Sequence, residues 1–127
     1  MSSELYHALI RTHHITSRRK VSVLTKAARK HSCLVLLRSG ASPGLMYCEG
    51  MESSVNAWVS VVEHLRYKDF HMVARPAPVP VEIQGSKIDR LQSPTRGIYE
   101  YGSIHEFAGQ MSLLGLQDWW ATMMGYK

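Results

Sequence analysis

The chain has 127 residues, 45% of them hydrophobic and 20% charged, with two cysteines and a formal net charge of +5. This suits one domain spanning residues 1–127, large enough to bury a core without metal or disulfide staples. No apolar run approaches the roughly 18 residues of a membrane span, and Met1–Tyr6 lacks a basic stretch leading into a continuous apolar one, so neither a membrane partner nor a signal peptide is expected.

Leu5 to Ile15 reads as a first strand, ragged at its start, or as a helical turn over Tyr6–Ile10 leading into a short strand at Arg11–Ile15. Thr16 or Ser17 suits an N-cap. From Arg18 to His31, Val21, Leu24, Ala27 and Ala28 form a narrow apolar stripe, with Arg19, Lys26, Arg29 and Lys30 largely on the other side; this is a surface helix with a basic outer face. Cys33–Leu37 and Leu45–Cys48 are apolar runs around the Gly- and Pro-containing stretch 39–44, a hairpin. If Arg38 pairs with Leu45, Cys33 faces Gly50 and Cys48 faces Val35. The cysteines are then two buried thiols, which fits a reducing compartment and an intracellular location, nuclear or cytoplasmic.

A second helix runs from about Glu52 to Arg66, with Val55, Trp58, Val59, Val62 and Leu65 at helical spacing. Trp58, in the middle of that face, is expected to be buried near Val21, Leu24, Val35, Leu37 and Val62. Asp69–Arg75 alternates as a strand, with Phe70, Met72 and Ala74 on one face, and Pro76, Pro78 and Pro80 are expected to end its ladder. Residues 80–97 read as a flexible connector. Two helices follow within 103–125, the first capped by Ser103 and carrying Ile104, Phe107, Met111 and Leu114, the second from Leu116 with Trp119, Trp120, Met123 and Met124. The order βαββαβ predicts an α+β, ferredoxin-like split βαβ sandwich: a four-stranded antiparallel sheet with both central helices on one face, plus two C-terminal helices.

Few residues carry chemistry. Gly40-Ala41-Ser42-Pro43-Gly44 matches the spacing of a nucleophile elbow, but an elbow joins a strand to a helix, and the residue after its serine donates a backbone N–H that Pro43 lacks. A hairpin loop is expected instead. The seven histidines come with no Cys-x-x-Cys, His-x-x-x-His or carboxylate cluster, so no metal site is expected. No phosphate loop, dinucleotide fingerprint or paired catalytic carboxylates are present; neither an enzymatic activity nor a cofactor is expected. Trp119 and Trp120 read either as an apolar face packed on the sheet or as a partner-binding box.

The remaining signal is charge. Between Arg11 and Lys30 lie seven Lys and Arg residues and no acidic one. Arg18, Arg19 and Lys20 occupy a first helical turn, where cations oppose the macrodipole. A solvated helix face and an anion-binding surface are both readings of this cluster. An RNA reading draws on His13 and His14 for stacking or hydrogen bonding, with Arg38 and Arg75 added to Arg11, Arg18, Arg19 and Lys20. No aromatic RNA-recognition signature is present, so contacts are expected to be to shape and phosphate.

Several stretches together resemble a known family: His13-His14-Ile15, the basic helix after it, Leu37–Gly40, Pro43–Gly50, Leu65-Arg66-Tyr67-Lys68 and the ending from Glu106-Phe107 to Trp119-Trp120. They are similar to the C-terminal domain shared by the spliceosomal pre-mRNA-processing factor 3 and RWD-domain-containing protein 2. In that family a turn leads to a strand ending in hydrophobic-Glu-Gly, and the end has the form Phe-x7-Gly-x4-Trp; Phe107, Gly115 and Trp120 occupy those places here. The resemblance spans nearly the whole chain outside 81–97. It implies a ferredoxin-like fold, no catalytic residues and, in the splicing-factor branch, contact with a small nuclear RNA duplex and its single-stranded end. The expected function is a non-enzymatic module binding a small structured RNA or a ribonucleoprotein. The alternative is a protein-interaction adaptor docking through the C-terminal helices, with Trp119 and Trp120, or through an open sheet face.

Overall fold

The computed structural model describes residues 4–80 and 97–126. In chain order the elements are β1 (Leu5–Thr12), α1 (Arg18–Lys30), β2 (Leu34–Arg38), β3 (Gly44–Met51), α2 (Glu52–Leu65), β4 (His71–Pro78), β5 (Gly97–Tyr101), α3 (Ile104–Leu113) and α4 (Gln117–Met124). The expected connector falls almost entirely outside the described residues.

The sheet is five-stranded and mixed, in the order β4-β1-β3-β2-β5. This corrects the expectation of four antiparallel strands. The first four pair antiparallel, but β5 lies parallel to β2, from Leu34↔Gly97 to Arg38↔Tyr101. Gly-Ile-Tyr-Glu-Tyr is short and follows a Gly-, Ser- and Pro-punctuated stretch, so its alternation has no length in which to stand out. It pairs because β2 would otherwise be an open edge. Gly97 opens the strand at φ +131°, a backbone conformation that L side chains rarely adopt.

β1 is extended throughout and central, so neither the helical turn at Tyr6–Ile10 nor the strand at Arg11–Ile15 forms. Its near-continuous apolar reading has a simple cause: both sheet faces are covered. Ala8 and Ile10 join the core under α1 and α2, whereas Leu5 and Leu9 join the core under α3 and α4. β4 runs on through Pro78, with His7↔Ala77 and Tyr6↔Pro78 paired, so its prolines do not end the ladder. As an edge strand β4 has one side without ladder partners, and register shifts between His7 and Ile10 absorb the misfit. The same irregularity separates Phe70 and Met72, packed with the first core, from Ala74, packed with the second.

The hairpin register is the one expected: Arg38↔Leu45 and Val35↔Cys48, with both cysteines buried as free thiols. Trp58 is fully buried in one cluster with Val21, Leu24, Val35, Leu37 and Val62, and its indole N–H donates to the Leu24 carbonyl at 3.1 Å. On the opposite face Phe107, Met111, Leu116 and Trp120 of the C-terminal segment close over Leu36, Leu45 and Tyr47. The result is a three-layer sandwich, helices on both sides of the sheet.

Candidate anion-binding site

Strand and helix directions bring three connections to one end of the molecule: the β1–α1 loop, the β2–β3 hairpin loop and the α2–β4 corner. Backbone hydrogen bonds tie them together, from His13 N to Lys68 O at 2.9 Å and from Gly40 N to Ile15 O at 3.0 Å. Gly44 permits this closeness, since a Cβ there would collide with the Thr12 hydroxyl and the Ile15 side chain. The α2–β4 corner is tight because Arg66 closes α2 in the left-handed region (φ 55°, ψ 54°).

Between these loops lies a pocket of about 230 Å³ lined by His14, Thr16, Ser17, Lys20, Arg66, Tyr67 and Lys68. Three of its side chains are formally cationic, and among the described residues no carboxylate lines it. It borders the start of α1, where Ser17 caps the helix by accepting from Lys20 N at 3.2 Å and no acidic residue occupies the first turn. The Lys20 ammonium sits over the Tyr67 ring, 4.7 Å from its centroid, a cation–π contact that fixes its position. Tyr67 is buried and its hydroxyl has no hydrogen-bond partner; burial first, and the Glu100 carboxylate second, push its pKa up to about 12. The site therefore offers concentrated positive charge, two hydroxyls and a helix N-terminus, the chemistry of anion binding.

The cations singled out from sequence do not converge as a set. Lys20 and His14 line the pocket, and Arg19 is exposed in the same helical turn. Arg18 is spent on a bidentate ion pair with Glu100 at 2.7 and 2.9 Å. That guanidinium, together with a hydrogen bond from Ser39, holds the Glu100 carboxyl below its usual range against the opposing effect of burial. Arg38 is buried, with Nη1 donating to the carbonyls of Ala41 and Pro43; it braces the hairpin loop and does not line the pocket. Arg75 is exposed on edge strand β4 and does not line the pocket. His13 and His14 belong to a loop, so they do not alternate across a sheet as strand residues would. Their rings lie 4.7 Å apart, but His13 pairs with Asp69 at 3.4 Å and lines a separate cleft with Arg11, Met124 and Tyr126.

Arg66 and Lys68 are the functional candidates that sequence reasoning passed over. The signal was topological: in a βαββαβ order the end of α2 returns to the end of β1, so cations at the two corners become neighbours. Trp119 and Trp120 are used inside the fold. Trp120 is buried against Phe107, and Trp119 stacks on His7 at 4.1 Å and 24°. Beneath Trp119, His7 Nδ1 lies 3.0 Å from the Tyr47 hydroxyl, which donates to Glu49 at 2.8 Å, an arrangement of three buried side chains.

Ser42 lies exposed in a loop between two strands. Among the described residues no group of three or more His, Cys, Asp or Glu side chains is placed to hold a metal ion, and no helix is long and apolar enough to cross a membrane. No protein-family model matches the chain, and no curated protein matches it.

Proposed function

We propose that the protein is a non-enzymatic RNA- or ribonucleoprotein-binding module whose contact surface is centred on the pocket of His14, Lys20, Arg66 and Lys68, with Arg19 at its margin. The observation that carries this is the convergence of three cationic side chains, from two different corners of the chain, on one concavity that no carboxylate lines among the described residues. A helix face that is basic only for solvation has no reason to meet cations from elsewhere or to place them in a hollow. We also read β1 to β4 with α1 and α2 as a ferredoxin-like split βαβ unit, to which β5, α3 and α4 are added; the antiparallel order β4-β1-β3-β2 supports this. The resemblance to the splicing-factor branch of that family implies the same class of ligand. For the adaptor reading, Trp120 is buried, Trp119 is half-buried on His7, and the second sheet face is covered by α3 and α4.

The test is a salt titration of binding to a short duplex RNA with a single-stranded tail. Each phosphate neutralised contributes roughly 0.7–0.9 to the log–log slope. Changing Lys20, Arg66 and Lys68 together to alanine is expected to flatten the slope by about 2–3. Changing Arg29 and Lys30, at the other end of α1, is expected to leave it unchanged. Equal slopes in the wild type and the triple variant would refute the assignment of this surface.

A further inference from the structure

We infer that the pocket takes a phosphomonoester, the terminal phosphate of an RNA strand, and not a phosphodiester within the strand; this rests on the RNA-binding reading above. A phosphodiester backbone presents single negative charges in a row, and a surface that follows it spreads its cations along a groove. Here Lys20, Arg66 and Lys68 come from two chain corners to line one open hollow of about 230 Å³. A phosphomonoester concentrates −1.5 to −2 charges and three acceptor oxygens in one compact group at pH 7, which matches convergent charge better than a single-charged diester does.

The donors also fit. Thr16 and Ser17 bring hydroxyls to the pocket, and Ser17, although it accepts from Lys20 N, keeps its own proton to donate. The position of Lys20 over Tyr67 holds that cation in place before any ligand arrives, and the left-handed backbone of Arg66 fixes where its side chain leaves the chain. A non-glycine residue occupies that left-handed region at a cost, and the turn it makes is what carries Arg66 and Lys68 back to the start of α1. The exposed His14 ring, which lines the pocket, offers a face against which a terminal base can stack. Arg19, exposed beyond the pocket, extends the positive field toward the next phosphate. A phosphorylated side chain of a protein would use the pocket but neither the His14 ring nor Arg19, so the strand end is the occupant that uses all of these groups.

The experiment measures affinity of the whole chain for two RNAs of one sequence, a duplex with a single-stranded tail, differing only in whether the tail ends in a hydroxyl or a phosphate. The phosphate end is expected to bind about tenfold tighter, as for a new set of charge-assisted hydrogen bonds. That advantage is expected to vanish in Lys68→Ala and in Arg66→Gly, the latter keeping a residue at ease in the left-handed corner while removing its charge. Thermal melts of both variants identify any loss that comes from misfolding. Equal affinity for the two ends in the wild type, with a steep salt slope retained, overturns the inference and leaves the RNA reading standing. Binding of neither RNA removes both. A phosphoserine peptide that binds as tightly as the phosphate-ended RNA overturns the strand end as occupant.

Discussion

The two faces of the sheet are built differently. Under α1 and α2 the core is mainly aliphatic around Trp58, whose indole N–H donates to a helix carbonyl, and it also buries Tyr67, whose hydroxyl has no hydrogen-bond partner among the described residues. Under α3 and α4 the core is aromatic and partly polar: His7, Tyr47 and Glu49 are buried together beneath Trp119, and the Trp120 indole N–H has no hydrogen-bond partner. The candidate site belongs to the first side, at the end where α1 begins and α2 finishes. A rigid, simply packed layer supports it, and the more elaborate layer behind contributes no side chain to its lining. The lesson is that a binding pocket and a buried polar network in one small domain need not be related.

The largest expected effect tests the first face. Trp58→Ala is expected to cost about 3–5 kcal/mol, the range for removing a buried aromatic side chain. Trp120→Ala is expected to cost less, because its N–H gives up no hydrogen bond. Denaturant unfolding of both variants measures the difference; equal losses would mean that the two layers contribute alike.

Tyr47→Phe addresses the second face. It removes the hydroxyl bonded to both His7 and Glu49, and a loss of about 1–3 kcal/mol is expected from leaving buried polar groups short of one bond. A neutral result would show that those groups are served well enough without it.

Tyr67→Phe is expected to move stability the other way. Its hydroxyl is buried without a partner, so at pH 7 the variant is expected to be as stable as the wild type or up to about 1 kcal/mol more so. The pH dependence follows from the raised pKa of the tyrosine. The folded state holds its proton up to about 12 while the unfolded state releases it near 10. Stability present below pH 10 is therefore lost as the pH rises toward 12, by on the order of 1–2 kcal/mol after allowance for solvent screening. Phe at this position removes that alkaline loss, which melts between pH 9 and 12 would register.

The smallest effect concerns Glu100. Its lowered pKa, caused first by the Arg18 hydrogen bond, means that its contribution is present above the ordinary carboxylate range and disappears as the pH falls through the lowered value. Glu100→Gln is expected to be slightly less stable at neutral pH and to lack that acid-side loss, seen as a flatter melting temperature below pH 5. An exposed pair of this kind is worth little.

The same contrast explains what was legible in the sequence. α1 and α2 each bury one stripe, so Val21, Leu24, Trp58 and Val62 stood out by period, and the hairpin was legible as two apolar runs around a Gly- and Pro-containing loop, its register taken from pairing Arg38 with Leu45. β5 was hidden because five residues, paired in parallel with a distant strand, carry no local pattern. His7, Tyr47 and Glu49 sit on two strands and meet only across the β1–β3 ladder, where His7 faces Glu49. At the site, Lys20 and His14 were visible as part of a basic run. Arg66 and Lys68, each an ordinary corner cation, acquire meaning only when the chain returns α2 to the start of α1. Arg18 and Arg38 belonged to the same basic signal in the sequence, yet an ion pair and two loop carbonyls engage them in the structure.

The most direct test of the central claim, that the end bearing this pocket is the ligand surface, is a map of backbone amide NMR shifts as the tailed duplex RNA is added to the protein. Changes are predicted to centre on His14 to Lys20 and Arg66 to Lys68, to fade along α1 toward Lys30, and to leave α3 and α4 unmoved. Changes centred instead on β5, α3 and α4, with the amides around Lys20 and Lys68 undisturbed, would contradict the account.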